Sequence, residues 1–393
     1  MSIPRLRLAR AASVAVRRGH PWVWREAIAR QPRDLHAGAP VELVDEAGVC
    51  LARGLWDASS PIAARVYLRG PGPPLDARAI AGLVEGAAAL RDRMFQGDAT
   101  DAYRLCNGEG DRVPALVLDR YASLAVMRID GELLAPWVER LVDPVSRLLS
   151  GRGITTLALR VEADPGGSRL RVLYGPPPPE RLFVREHGMA MEVDPWRGQK
   201  TGAFLDQREN RARVRVLARG RDRVLNLFSY AGGFSVAAAL GGARQVTSVD
   251  TAAAAHASAQ RSFRENGLSP DTHAFVTADV FDFLARAAAR KDRYDLVISD
   301  PPSFAPNERA RPRAMTAYRK LHAAAAAVLA EGGVLCAASC SSHVDAEAFA
   351  STLDDAALGD SKLRLLELLG QPADHPTLPA WPEGRYLKFA ILA

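Results

Sequence analysis

The sequence predicts an α/β chain whose C-terminal half is a mostly parallel sheet with helices on both faces, preceded by a compact α+β module and a small β-rich segment. Three observations predict it. After about residue 190 strand-like runs alternate with alanine-rich helical stretches; residues 34–70 carry only short runs broken by Gly, Asp or Pro; and the stretch between them mixes helical periodicity with a hairpin pattern. At roughly 150 residues per domain, 393 residues suit two or three domains, and 48% hydrophobic with 24% charged residues is a globular composition.

The elements follow in order. PVELVDEAG, CLARGLWD and PIAARVYLRG read as strands of a β-rich domain over 1–72, closed by the stiff GPGPP stretch from Gly70 to Pro74. A central α+β domain over 73–188 is predicted from a helix at 75–96, a hairpin of PALVLDR and LAVMRI, a helix at 134–149, and further strands in TTLALRV, RLRVLYG and LFVREHGMAMEV. The third domain, 189–393, has candidate strands at 223–230, 245–250, 273–280, 294–300, 332–340 and 386–393. In such a sheet ligands bind beyond the carboxyl ends of the strands.

Charge and cysteine usage narrow the function. Residues 1–33 hold eight arginines (Arg5, Arg7, Arg10, Arg17, Arg18, Arg25, Arg30, Arg33) and one acid, Glu26, so this segment carries more than the whole chain's +6. Arginine forks match phosphate oxygens, which points to a polyanionic partner; the bland alternative is a solvated arginine-rich face. No run of 18 apolar residues occurs and arginine interrupts each apolar run near the start, predicting a soluble, cytoplasmic protein with no membrane partner. Cys50, Cys106, Cys336 and Cys340 are too scattered for a disulfide framework and lack metal spacing, so reduced thiols and no metal are expected.

The chemistry concentrates in the third domain. In NLFSYAGGFS, Gly232 and Gly233 let the chain turn sharply from strand into helix, although the segment is not the G-x-G-x-x-G of a dinucleotide site. An acid ends each of three later strands: Asp250, Asp279 and Asp300. A carboxylate after the second strand can accept ribose hydroxyls and one after the third an adenine amine; the plain alternative for each is helix N-capping. Asp300-Pro301-Pro302-Ser303-Phe304 forms a rigid loop that can present its carboxylate to a planar substrate such as a nucleobase. Cys336 and Cys340 share a strand, roughly 13 Å apart at about 3.3 Å per residue, so they cannot share a reaction. Cys336 reads as a core residue and Cys340, at the strand end, as the candidate nucleophile.

The residues RRGHPWVW, YRLCNGEGDRVPALVLDRY, KTGAFLDQREN, VLNLFSYAGGFS, SDPPSF, ASCSSH and DHPTLPAWPEGRYLK together make the chain resemble bacterial cytosine-C5 methyltransferases of 23S, large-subunit, ribosomal RNA. The resemblance spans nearly the whole chain. It implies an N-terminal PUA RNA-binding domain, a central α+β domain and a C-terminal Rossmann-like class I methyltransferase domain using S-adenosylmethionine (SAM). By likeness, Lys200, Phe204, Asp206 and Arg208 close over SAM; Phe228, Ser229 and Gly232 line its methionine side; Asp250, with Thr251 beside it, binds the ribose; Asp279 and Val280 bind the adenine. Asp300 and Pro302 join this cofactor set. Cys340 would attack C6 of cytosine while Asp300 supports the ring. Arg17, Arg18 and Trp22 would contact RNA.

The implied partner is large-subunit ribosomal RNA, naked or in an assembly intermediate, and a homodimer is compatible with the likeness. Two other readings remain at this level: a SAM-dependent RNA methyltransferase acting on a guanine or adenine nitrogen, and a non-catalytic RNA-binding ribosome-assembly protein. A nicotinamide oxidoreductase is disfavoured by the missing glycine fingerprint.

Overall fold

A computed structural model describes residues 3–30, 32, 34–97, 99–163, 167–359 and 362–393. Arg33 of the arginine-rich segment lies outside them. The chain divides into two compact units: Met1–Leu182 with Val193–Leu205 and Ala373–Gly384, and Phe183–Glu192 with Asp206–Pro372 and Arg385–Ala393.

The first unit contains two five-stranded sheets. One is formed by β1 (Arg5–Arg7), β2 (Trp22–Trp24), β3 (Pro40–Val44), β4 (Cys50–Trp56) and β5 (Ile62–Arg69), in the order β1-β3-β4-β5-β2. Helix α1 (Arg10–Arg18), which the sequence reading left unassigned, puts Val16 into the core with Leu6, Leu8, Val23 and Leu43 and leaves Arg10, Arg17 and Arg18 exposed. Its axis ends with Arg17 and Arg18 in the last turn, where cations suit the helix dipole, and Gly19 closes it in the left-handed conformation.

The second sheet comprises β6 (Ala102–Asn107), β7 (Leu116–Tyr121), β8 (Leu124–Ile129), β9 (Thr156–Ala163) and β10 (Gly167–Tyr174), in the order β10-β9-β8-β7-β6. It is joined by α2 (Ala77–Met94) and α3 (Val138–Ser150), which share its core through Ile80, Val84, Leu141 and Val145. Asp76 starts α2 by accepting the Ala79 amide at 2.7 Å. Arg91, on α2, is fully buried: it meets both oxygens of Asp111 at 2.7 Å and donates to the carbonyls of Arg104 and Asp374 at 2.9 and 2.6 Å.

In the second unit a two-stranded ribbon of β11 (Leu182–Glu186) and β12 (Met189–Val193), whose outermost residues belong to the first, precedes α4 (Arg208–Leu217) and a seven-stranded sheet. Its strands are β13 (Arg223–Leu227), β14 (Gln245–Asp250), β15 (Ala274–Thr277), β16 (Tyr294–Ser299), β17 (Leu329–Ser339), β18 (Leu365–Leu369) and β19 (Lys388–Leu392), ordered β15-β14-β13-β16-β17-β19-β18. Pairings from β15 to β17 are parallel, while β19 runs antiparallel to β17 and to β18. The connecting helices are α5 (Gly233–Leu240), α6 (Ala253–Glu265), α7 (Val280–Ala289), α8 (Arg311–Ala326) and α9 (Ala346–Ala350). The sequence reading did not anticipate β18: its Leu-Leu-Glu-Leu-Leu run lacks strand alternation, and Leu365 and Leu366 are exposed on this edge. The order reverses at β13, which puts the crevice at the ends of β13, β14, β16 and β17.

Below that crevice α8 carries His322, which is fully buried and shares its Nδ1 with the Thr352 carbonyl at 3.1 Å. Nε2 has no hydrogen-bond partner among the described residues. Burial pushes the imidazole down to about 4 from 6.5. Below pH 6.5 the unfolded chain binds a proton that the folded state does not bind until about pH 4. Full stability is therefore present above that window and falls through it, by on the order of 3 kcal/mol in all. His322→Asn, which keeps a donor for Thr352, is expected to flatten this acid loss. Urea midpoints at pH 7 and pH 4.5 would measure it, and an unchanged pH dependence would show that other groups control acid stability.

No helix among the described residues is long and apolar enough to cross a membrane.

Candidate active site

The β13–α5 turn begins the site. Phe228 and Tyr230 have φ of 55° and 46°, and Gly232 has φ of 77°, so three left-handed residues within five fold the chain back before α5. A side chain at Gly232 would place its Cβ 2.5 Å from that of Ala259, so the close approach of α6 requires glycine as well as the positive φ does. The turn is fastened to β14: the Tyr230 amide donates to Asp250 Oδ2 at 2.8 Å and the Ala252 amide to Asp250 Oδ1 at 2.9 Å. The Ser229 hydroxyl is buried and has no hydrogen-bond partner among the described residues.

These features fit a small adenosyl ligand. A tight backbone turn, a buried hydroxyl without a partner among the described residues and a half-buried carboxylate lie at the ends of β13 and β14, beside the switch point of the sheet. Thr251 is exposed beside Asp250. Asp279 is exposed and caps α7, its Oδ1 accepting the Phe281 and Asp282 amides at 2.8 and 3.1 Å, which leaves Oδ2 for a ligand. The Val280 side chain packs in the core with Leu225, Leu227 and Phe283, leaving only its backbone for an adenine contact.

The segment expected to close over the cofactor divides between the units. Lys200 and Phe204 belong to the first, where the Lys200 ammonium lies 4.6 Å from the Phe204 ring centroid and Lys200 has φ of 52°. Asp206 and Arg208 belong to the second and are buried. Asp206 accepts the Tyr386 hydroxyl at 2.8 Å, and Arg208 Nε reaches Glu209 at 3.0 Å.

Asp300 follows β16, with Pro302 exposed beyond it. Its Oδ1 accepts the Gln207 amide at 2.9 Å, and Asn210 in turn donates to Gln207 at 2.5 Å. Gln207 was not singled out from the sequence, although it stands inside the KTGAFLDQREN motif. On the neighbouring strand Cys336 pairs with Ile298 and is fully buried, burial pushing its thiol up, while Cys340 is half-buried at the strand end.

A hydroxyl network holds the Cys340 turn. Tyr318 Oη lies 2.9 Å from the Ser339 hydroxyl and 3.0 Å from that of Ser341, and the Ser303 hydroxyl lies 3.0 Å from that of Ser341. Both serines flanking the cysteine are thus tied to one buried tyrosine, and the loop after Asp300 is tied to the same turn. Phe304 packs on Tyr318 with centroids 4.9 Å apart. Sequence gave no sign of Tyr318, since a tyrosine on a helix announces no distant hydroxyl partners.

In the first unit Arg18 is exposed, and Arg17 meets Asp45 at 2.5 Å while keeping 54% of its side chain accessible. Trp22 is partly committed to structure: its indole donates to Glu109 at 2.8 Å and packs edge-on against Trp381. Trp24, which the sequence reading passed over, is the more exposed ring at 40%. Among the described residues no group of three His, Cys, Asp or Glu side chains could hold a metal ion.

Strand order, glycine turn and acid-tipped second strand together define a class I SAM-dependent methyltransferase. A family profile described as S-adenosylmethionine-dependent methyltransferase matches residues 156–387, and a PUA-like domain profile matches residues 6–69. A protein from Deinococcus radiodurans named ribosomal RNA large subunit methyltransferase is 40% identical, covering 100% of this chain and 98% of its own. One from Shigella boydii named ribosomal RNA large subunit methyltransferase I is 35% identical over 98% of each. Among solved structures, one described as a methyltransferase complexed with SAH superposes with a TM-score of 0.87 at 25% identity, covering 99% of this chain and 100% of that one. The chain belongs to the large-subunit ribosomal RNA methyltransferase family, built from a PUA-like domain and a SAM-dependent methyltransferase domain.

Proposed function

We propose that this protein methylates C5 of a cytosine in large-subunit ribosomal RNA, with Cys340 as covalent nucleophile. The observation that carries the reading is the placement of Cys340: it directly follows β17, beside the strand that leads into Asp300, with Ser299 paired to Ala337 in register. The names of the full-length relatives support the RNA substrate. Exposed Arg10 and Arg18, with Arg17 and Trp22 nearby in sequence, supply phosphate-matching and stacking groups in the PUA-like domain.

The residues divide the work as follows. Bound SAM supplies an electrophilic methyl group. Asp250 orients the donor through the ribose, with Phe228, Ser229 and Gly232 along its methionine portion. The Cys340 thiolate adds to C6, which makes C5 an enamine-like nucleophile able to accept the methyl. Asp300, held by Gln207, accepts hydrogen bonds from the exocyclic amine and from N3, which takes a proton from solvent as the sulfur adds, stabilising the charge that develops on the ring. The C5 proton passes to solvent as the Cys340 sulfur is eliminated as thiolate, and N3 returns its proton to solvent, which restores aromaticity. The base must leave its stack, or be unpaired, to reach these groups.

The test is direct. Deproteinised large-subunit RNA incubated with methyl-tritiated SAM is expected to take up label, and bisulfite sequencing of the product to show one new protected cytosine. Label on a purine, or none on cytosine, would overturn the assignment.

A further inference from the structure

We infer that Lys388 is a positioning residue for Cys340, its buried ammonium fixed behind the Ser339-Cys340-Ser341 turn so that the sulfur is carried as a thiolate. The inference rests on the reading of Cys340 as nucleophile and adds the group that prepares it.

Lys388 opens β19, opposite Ser339 in the antiparallel register. Only 3% of it is exposed. Lysine is almost never this buried unless a partner compensates its charge. Its Nζ donates to the carbonyl of Ser341 at 2.6 Å and of Tyr386 at 2.7 Å, so its hydrogen bonds end on neutral oxygens, one of them in the residue after Cys340. The groups that act on it electrostatically are Cys340 and Asp345, and Asp345 has 68% of its side chain in solvent, where its field is screened. Of the two, Cys340 acts on it more strongly.

The remaining neighbours fit this arrangement. Tyr318 also acts on Cys340, but burial pushes its phenol up, so it remains a neutral hydrogen-bonding anchor. His343, Glu308 and Arg311 form an exposed ion-pair group with Asp345 on the solvent side. Burial brings Lys388 down to about 8, while a charged Cys340 or Asp345 acts in the opposite direction. At neutral pH the ammonium form therefore predominates, and it favours negative charge on the adjoining sulfur. In the step this prepares, the Cys340 S–H bond releases its proton to solvent. The ammonium keeps its own protons and balances the thiolate, whose electron pair then bonds to C6.

The experiment follows iodoacetamide alkylation of the Cys340 peptide by mass spectrometry from pH 5 to 10, in the full chain without RNA. The wild-type midpoint is expected below the roughly 8.5 of a free thiol. Lys388→Met is expected to raise it by about one unit, leaving about tenfold less thiolate at neutral pH, while Lys388→Arg keeps it low. A purely structural clamp would leave the midpoint of a folded methionine variant unchanged, and that result, with SAM affinity intact, overturns the inference. Should the methionine variant not fold, a wild-type midpoint at or above the free-thiol value overturns it equally. These readouts need no methyl transfer, so they stay separate from a Cys340→Ala variant that retains activity, which would defeat the nucleophile reading instead.

Discussion

Cys340→Ala is expected to lower methyl transfer by at least about 10⁴-fold, the scale on which loss of a covalent nucleophile registers. The reason lies in the proposed substrate: C5 of cytosine has little nucleophilic character until C6 is saturated, and Cys340 is the proposed group that saturates it. SAM affinity by calorimetry is expected to stay within about threefold, because the proposed donor site is the β13 turn and Asp250 rather than the sulfur. Cys336→Ala is the internal control. That residue is fully buried on the same strand, so its loss should cost about 1 kcal/mol of packing and leave the rate unchanged. Full activity in Cys340→Ala would reject the carbon mechanism and favour methylation of a base nitrogen, for which the carboxylate of Asp300 would suffice.

Asp111→Asn is expected to destabilise the first unit by roughly 3–5 kcal/mol, the cost of leaving a buried charge without its counter-charge. Arg91 is fully buried and meets both Asp111 oxygens at 2.7 Å, while Asp111 Oδ2 also accepts the Asn107 amide at 2.6 Å. Asparagine retains one carbonyl oxygen but no charge, so the guanidinium would sit in an apolar core among carbonyl oxygens alone. The urea midpoint of that unit is the measurement, with an unchanged m-value expected. Replacing both partners, as in Arg91→Met with Asp111→Leu, should recover much of the loss, since a buried pair is often no more stabilising than apolar residues of similar volume. A single variant as stable as wild type would mean that Asp111 is not the group that neutralises Arg91.

Both predictions separate what was readable from what was not. The alternation of strands and alanine-rich helices after residue 190 reports periodicity, a local property, so the parallel sheet and its crevice were legible. So were the strand-end positions of Asp250, Asp300 and Cys340, because each stands at the end of an apolar run. Helix α1 and strand β18 escaped, the first because arginines mask its apolar stripe, the second because an exposed leucine edge lacks alternation. Trp22 is implied as an RNA contact by the family likeness of RRGHPWVW, and only packing reveals that its indole is committed to Glu109.

The sequence by itself determined the fold class and the family, because these depend on residue identity and near-neighbour spacing. Only the tertiary structure decided which remote side chains surround the candidate reacting groups. Gln207 on Asp300, Tyr318 beneath the two serines, and Lys388 on the Ser341 carbonyl are joined across 93, 21 and 23, and 47 positions respectively. No local pattern encodes such pairings; they exist because sheet register and helix packing bring remote segments within hydrogen-bond reach, in a low-dielectric interior where one buried charge changes the reactivity of its neighbour.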